Sequence, residues 1–248
     1  MKGFNTFTKL LALSFDFRLF VLLAIGFIAF TVIGTVSHES GHYLMAKCFG
    51  YEAKIHYAST GIRDNQKDWL FFKSVWQKYP SQIRSNQPFP EKERFEKIRA
   101  EHKRAGFWLT AGGPLQTMLT GTIGLIILIL LRKRYFSAER LSFGLWLLIF
   151  ITLFWLRQTA NFFIVLPMSI IHGSINGHGD EFGLARYFHL PVWSILTFSA
   201  LIGIVILAVV IFKFIPIKQR LTFMAAGLVG GVTGFVFWLI LFGKIIMP

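Results

Sequence analysis

Polar and apolar positions along this chain segregate into blocks rather than alternating finely. Uncharged runs fill residues 19–37, 105–131, 187–212 and 221–243, each bounded by charged or histidine side chains such as Arg18 and His38. Runs of about 18 or more apolar residues are long enough to cross a bilayer as helices. A fifth apolar stretch, 141–171, is interrupted by Arg157. The pattern predicts five spans, the third long, kinked or broken. The first follows Lys2, Lys9 and Arg18 as a secretory signal would. It is longer than a signal core and lacks a small-x-small cleavage site, so it is read as a retained span. Residues 3–17 are mixed and aromatic, suited to the interface.

The one sizeable polar segment, 51–104, divides into three. Residues 51–60 partly alternate polar and apolar side chains, the pattern of a short strand or hairpin. Residues 69–79 place Trp69, Phe72, Trp76 and Tyr79 at helical spacing, as in an interfacial amphipathic helix. After a loop marked by Pro80, Pro88 and Pro90, residues 91–104 form a charged helix expected to run into the second span. Glu93 and Lys97 support it at i,i+4.

Composition strengthens the membrane reading. Of 248 residues 54% are hydrophobic, 28 are Phe and only 15% are charged, against roughly 25% in soluble domains. The net charge of +14 does not point to nucleic acid, because the surplus flanks the apolar runs and no nucleic-acid motif accompanies it. The expected partner is the lipid bilayer. Twelve Lys and Arg between Lys54 and Arg104 put that segment in the cytoplasm, with the N-terminus outside and the C-terminus inside. Arg132-Lys133-Arg134 and 213–220 then fall outside, against the same rule. Cys48 is the only cysteine, so no internal disulfide forms.

The strongest local signal is His38-Glu39-Ser40-Gly41-His42. On a helix, histidines at i and i+4 project from one face a turn apart, and both can reach one zinc ion. Glu39 lies about 100° further round, placed to take a proton from water on the metal. Zinc lowers that water's pKa from 15.7 to roughly 7 and polarises a carbonyl. Polar residues of this kind ending an apolar helix are costly without a function.

Residues 35–50, Thr-Val-Ser-His-Glu-Ser-Gly-His-Tyr-Leu-Met-Ala-Lys-Cys-Phe-Gly, resemble the first conserved helix of site-2 proteases, the intramembrane zinc metalloproteases. Ala111-Gly112-Gly113-Pro114-Leu115-Gln116-Thr117 is similar to that family's Ala-Gly-Pro-x-x-Asn signature. Asn161, Pro167 and Gly177-His178-Gly179-Asp180 resemble its Asn-Pro region and third-ligand Asp. The resemblance covers about 19–188 and departs from the family in places. Thr117 stands where Asn is usual, the stretch from Asn161 to Asp180 is longer, and Glu181 rather than Gly follows Asp180.

The resemblance implies an all-α polytopic membrane protein: about five transmembrane helices around a three-helix metalloprotease core, with a short membrane-associated β element after the first helix. A single peptidase domain would comprise the zinc-motif helix 19–50, β element 51–60, polar cytoplasmic insert 61–104, remaining core 105–188 and accessory spans 190–243. It implies a zinc endopeptidase with one Zn2+ per chain on His38, His42 and Asp180. Glu39 would be the general base, and a single-span membrane protein the substrate. Lys54, Ile55 and His56 would meet unwound substrate by strand addition, with Asn161 as a further substrate contact. The expected location is a prokaryotic inner membrane, with the centre near the cytoplasmic side.

Alternatives stay open for several residues. Asp180 could instead cap a helix over 181–188, with His178 as the ligand. Gly112, Gly113 and Pro114 suit close helix packing as well as a substrate site. Gly227, Gly230, Gly231 and Gly234 form a packing face in the last span. Arg157 is structural or paired with an active-site carboxylate, and 69–79 is a gate or an anchor. His102, His172 and His189 read as interfacial or loop residues, as does the His56 side chain. Two other functions compete: a membrane-embedded metallopeptidase acting on soluble or interfacial peptides, and a non-proteolytic relative or metal carrier. A carrier needs ligands but no base.

Overall fold

A computed structural model describes residues 12–63, 66–136, 139–173, 177 and 179–248. Among these, five helices are long and apolar enough to cross a membrane: α1 (Phe17–Cys48), α4 (Lys92–Leu130), α6 (Phe143–Ile171), α8 (Ser194–Phe214) and α9 (Ile217–Ile246). Their outward faces expose large apolar side chains such as Leu22, Leu119, Phe198 and Leu228, as lipid contact allows. The chain thus has the helices of a multi-pass membrane protein.

Asp16 starts α1 by accepting a hydrogen bond from the Leu19 amide at 3.1 Å. Most of residues 3–17, read as interfacial, lie outside the described residues. At the far end of α1, Gly50 (φ 77°) turns the chain into a hairpin, β1 (Glu52–His56) and β2 (Ser59–Arg63). The strands are antiparallel, with Ile55 opposite Thr60 and His56 opposite Ser59. The β element expected over 51–60 therefore extends to Arg63, because the second strand needs as many residues as the first to complete the ladder.

Helix α2 (Gln66–Lys78) and the short α3 (Pro80–Arg84) precede α4. Phe72 stacks on Phe95 of α4 at 4.6 Å between centroids, and Val75, Phe95 and Ile98 are buried. Part of the apolar face of α2 is thus spent on α4, while Trp69 and Leu70 remain exposed. The charged 91–104 segment does run unbroken into the second span. Beyond α5 (Arg132–Phe136), α6 carries a 3-10 turn at Leu153–Trp155, which supplies the irregularity expected of the third span.

The fourth span is displaced from expectation. Residues 187–193 are not part of it: Tyr187 ends the short helix α7 (Asp180–Tyr187), His189 takes φ 56° and Pro191 follows, so the apolar run breaks before Ser194. Helix α9 packs along α1, with Gly227, Gly230 and Gly234 against Phe27, Ala24 and Ile28. Gly231 faces open space and does not belong to that face. Around Phe27, the rings of Phe150 (5.0 Å) and Phe223 (5.3 Å) tie α1, α6 and α9 into one core.

Candidate metal centre

Helices α1 and α4 cross where neither has a side chain. A methyl group on Gly41 would strike the Gly112 carbonyl, and one on Gly112 would strike that of Gly41. One residue on, a methyl on Gly113 would run into Nε2 of both His38 and His42. The Gly112-Gly113 pair therefore packs the helices closely and leaves room for the two imidazoles.

His38 is 1% exposed, and His42 lies at the boundary of burial. Their Nε2 atoms are 3.2 Å apart, and Asp180 Oδ2 lies 2.9 Å from His38 Nε2 and 3.2 Å from His42 Nε2. His42 Nδ1 is 2.6 Å from the Leu109 carbonyl. A carbonyl only accepts, so Nδ1 carries the proton, and in the neutral ring Nε2 would present its lone pair to the triangle. A single proton from His38 cannot satisfy three inward-facing atoms; a cation can. Three ligands on a tetrahedral metal at about 2.0–2.2 Å stand roughly 3.3 Å apart, close to the separations here. His38, His42 and Asp180 could thus hold a metal ion, and they are the one such group among the described residues. His38 Nδ1 is buried without a hydrogen-bond partner, so no outer hydrogen bond orients that ring.

The third member arrives on α7. Gly179, at φ 133°, lets the chain enter the helix from a conformation other residues rarely adopt. Gly179 is the N-cap and Asp180 the first helical residue, so the capping role is excluded and the carboxylate is turned to the histidines. Phe182 is buried with its ring edge-on to Trp193, and Gly183 sits against Thr110 of α4. Burial alone would push the Asp180 carboxyl up. The facing His38 and His42 rings outweigh burial and hold it well below the usual carboxylate range. His178, the rival ligand, lies outside the described residues.

Glu39 is 4% exposed and is held from the hairpin. Thr60 Oγ1 lies 3.0 Å from Glu39 Oε2 and 2.9 Å from the Glu39 carbonyl oxygen. Arg157 and Asp180 lie within electrostatic reach of Glu39. Lys54, Ile55 and His56 lie on β1, and Ile55 is the cross-strand partner of Thr60. The ring of His56 lies over Gly61, folded back across the hairpin. Asn161, on α6, lies near Glu181, whose carboxyl is pushed up by burial.

At the departure from the family pattern, Thr117 is buried and caps the Pro114 carbonyl at 3.0 Å; Gln158 Nε2 approaches its Oγ1 at 3.5 Å. Thr60, the Leu109 carbonyl, Gln158 and Glu181 were not among the expected site residues. Nothing in a single sequence marks a threonine on a strand or a carbonyl on a helix as a neighbour of the centre. His102, His172 and His189 are not members of the converging group. Comparison with protein-family models, curated proteins and solved structures finds no match for this chain.

Proposed function

We propose that this protein is a zinc endopeptidase of the site-2 protease type, hydrolysing peptide bonds of single-span membrane proteins within or beside the bilayer. The observation that carries the reading is Glu39: a buried carboxylate on the helix that bears both histidines, fixed by Thr60 beside a three-ligand set. Two histidines and one carboxylate are a catalytic zinc donor set that leaves one position open. Zinc held there would supply Lewis-acid polarisation of the scissile carbonyl and a lowered pKa for the attacking water. Glu39 takes the proton from that water at a carboxylate oxygen and delivers it to the leaving amide nitrogen. Thr60 keeps one oxygen occupied, which orients the other. A binding or transport site would have no use for this base.

The hairpin suits a substrate that must be unwound. A strand added to its free edge would gain main-chain hydrogen bonds, and β1 lies one strand away from the threonine that holds the base. The basic 51–104 segment favours the cytoplasmic side for the centre, in a prokaryotic inner membrane.

The test is Glu39→Gln in purified protein. It should keep about one zinc per chain and lose turnover by several orders of magnitude, because the ligands stay and the base does not. Alanine at His38, His42 or Asp180 should lose the metal itself. Membrane proteomes of cells carrying the Gln form should accumulate uncleaved single-span proteins. Undiminished peptide cleavage by Glu39→Gln would remove the proposal.

A further inference from the structure

Arg157 stands near the middle of α6, just after its 3-10 turn, where an ionised side chain is expensive unless something answers its charge. Its guanidinium lies within electrostatic reach of Glu39, Asp180 and Glu181, and its charge is felt at His38. Packing places this turn of α6 too: the adjacent Gln158 lies 3.5 Å from Thr117 Oγ1, which is 3.3 Å from the Gly113 carbonyl, and Gly113 is the glycine that faces the His38 and His42 rings. Yet no carboxylate among the described residues comes within ion-pair distance of it. Its Nε is buried and has no hydrogen-bond partner. An arginine whose role was to neutralise a carboxylate would close a two-pronged pair with it. This one stops short and keeps a donor unmet, as a group waiting for a transient acceptor does.

Hydrolysis creates such an acceptor. When water oxygen bonds to the carbonyl carbon, the π pair of the C=O bond moves onto oxygen and leaves it negatively charged. When that pair returns, the C–N bond breaks, and its electrons take up the proton that Glu39 removed from the water. Between the two events the oxygen needs donors that are already in place.

We propose that Arg157 is a catalytic residue of this centre, donating hydrogen bonds to the substrate carbonyl oxygen as it becomes anionic. The inference rests on the hydrolytic reading of the site. Because the acceptor is fully charged only in the transition state, Arg157 contributes to kcat and little to KM.

The experiment uses full-length protein in nanodiscs, with Arg157→Gln and Arg157→Lys. It measures zinc per chain, melting temperature, kcat and KM on a cleaved peptide. It also measures the Kd of a zinc-binding phosphinic peptide, whose tetrahedral anion mimics the intermediate. Arg157→Gln should keep zinc and melting temperature, leave KM within about threefold, and lose roughly 100- to 1,000-fold in kcat. Phosphinate affinity should fall by a similar factor. Affinity for the uncleaved parent peptide, read in a Glu39→Gln background, should not change. Arg157→Lys should recover part of both losses, because it restores the charge without the planar fork.

Phosphinate affinity equal to wild type in either folded, zinc-loaded variant overturns the proposal. If Arg157→Gln sheds zinc or fails to fold, Arg157→Lys decides: weakened phosphinate binding with full zinc supports the role, and wild-type binding refutes it. If the unsubstituted protein cleaves in a Glu39-dependent way and Arg157→Gln cleaves as fast, this inference fails alone. If the unsubstituted protein shows no Glu39-dependent cleavage, the hydrolytic reading fails and takes the inference with it.

Discussion

Replacing Gly113 by Ala tests the centre through a residue that is not a ligand. In a helix interior, Gly→Ala alone should stabilise by about 1 kcal/mol. At this position the added methyl would lie 2.5 Å from His38 Nε2 and 2.7 Å from its Cδ2, and it also strikes His42 Nε2. Non-bonded heavy atoms settle near 3.5 Å, so one or both rings must retreat by roughly 1 Å. Metal sites tolerate about 0.2 Å. Losing an outer-shell partner already costs roughly 10- to 100-fold in metal affinity, and displacing a ligand exceeds that. Gly113→Ala should therefore bind zinc at least about 100-fold more weakly and be inactive, while its helices remain formed. Zinc per chain by atomic spectrometry, chelator competition and thermal melting would measure this. Gly231→Ala is the control: it meets nothing within 4 Å and should keep full metal with equal or better stability. Gly113→Ala with wild-type zinc affinity would show that the two imidazoles do not converge over this glycine.

Two further substitutions probe the support of the base and the hairpin. Thr60→Val removes the hydroxyl that Glu39 accepts from; a hydrogen bond to a charged group is worth about 1.5–3 kcal/mol, so kcat should fall roughly 10- to 100-fold with zinc retained, measured by steady-state kinetics alongside metal content. Trp238→Phe removes the indole N–H that donates to the Tyr57 carbonyl at 2.8 Å, and should loosen the hairpin turn by about 1 kcal/mol; amide exchange over 52–63 should quicken with little change in α1.

How much of this molecule could be read from the chain depended on the range of the interactions. Spanning helices are local: each satisfies its own backbone hydrogen bonds, so apolar length suffices to reveal it, and α1, α4, α6 and α9 lie where the runs put them. The His38–His42 pair is local too, fixed by one helical turn. Where a run of apolar residues conceals a turn, as at His189 and Pro191, length misplaces the start of the span.

The third corner of the centre is not local. Asp180 lies 142 positions from His38, and capping as well as ligation stayed open to it until Gly179, Phe182 and Gly183 seated α7 against its neighbours. The use of the last span was also undecided. No motif in 190–243 predicts that Trp238 and Met247 hold both sides of Tyr57 and so moor the hairpin that reaches Glu39. A donor and its carbonyl 181 residues apart leave no periodic trace in either segment. Sequence alone determines helices and a histidine pair on one face, because both follow the turn of one helix. Which carboxylate faces that pair, which threonine holds Glu39 and which arginine stands near it were decided by the packing of α1, α4, α6, α7 and α9.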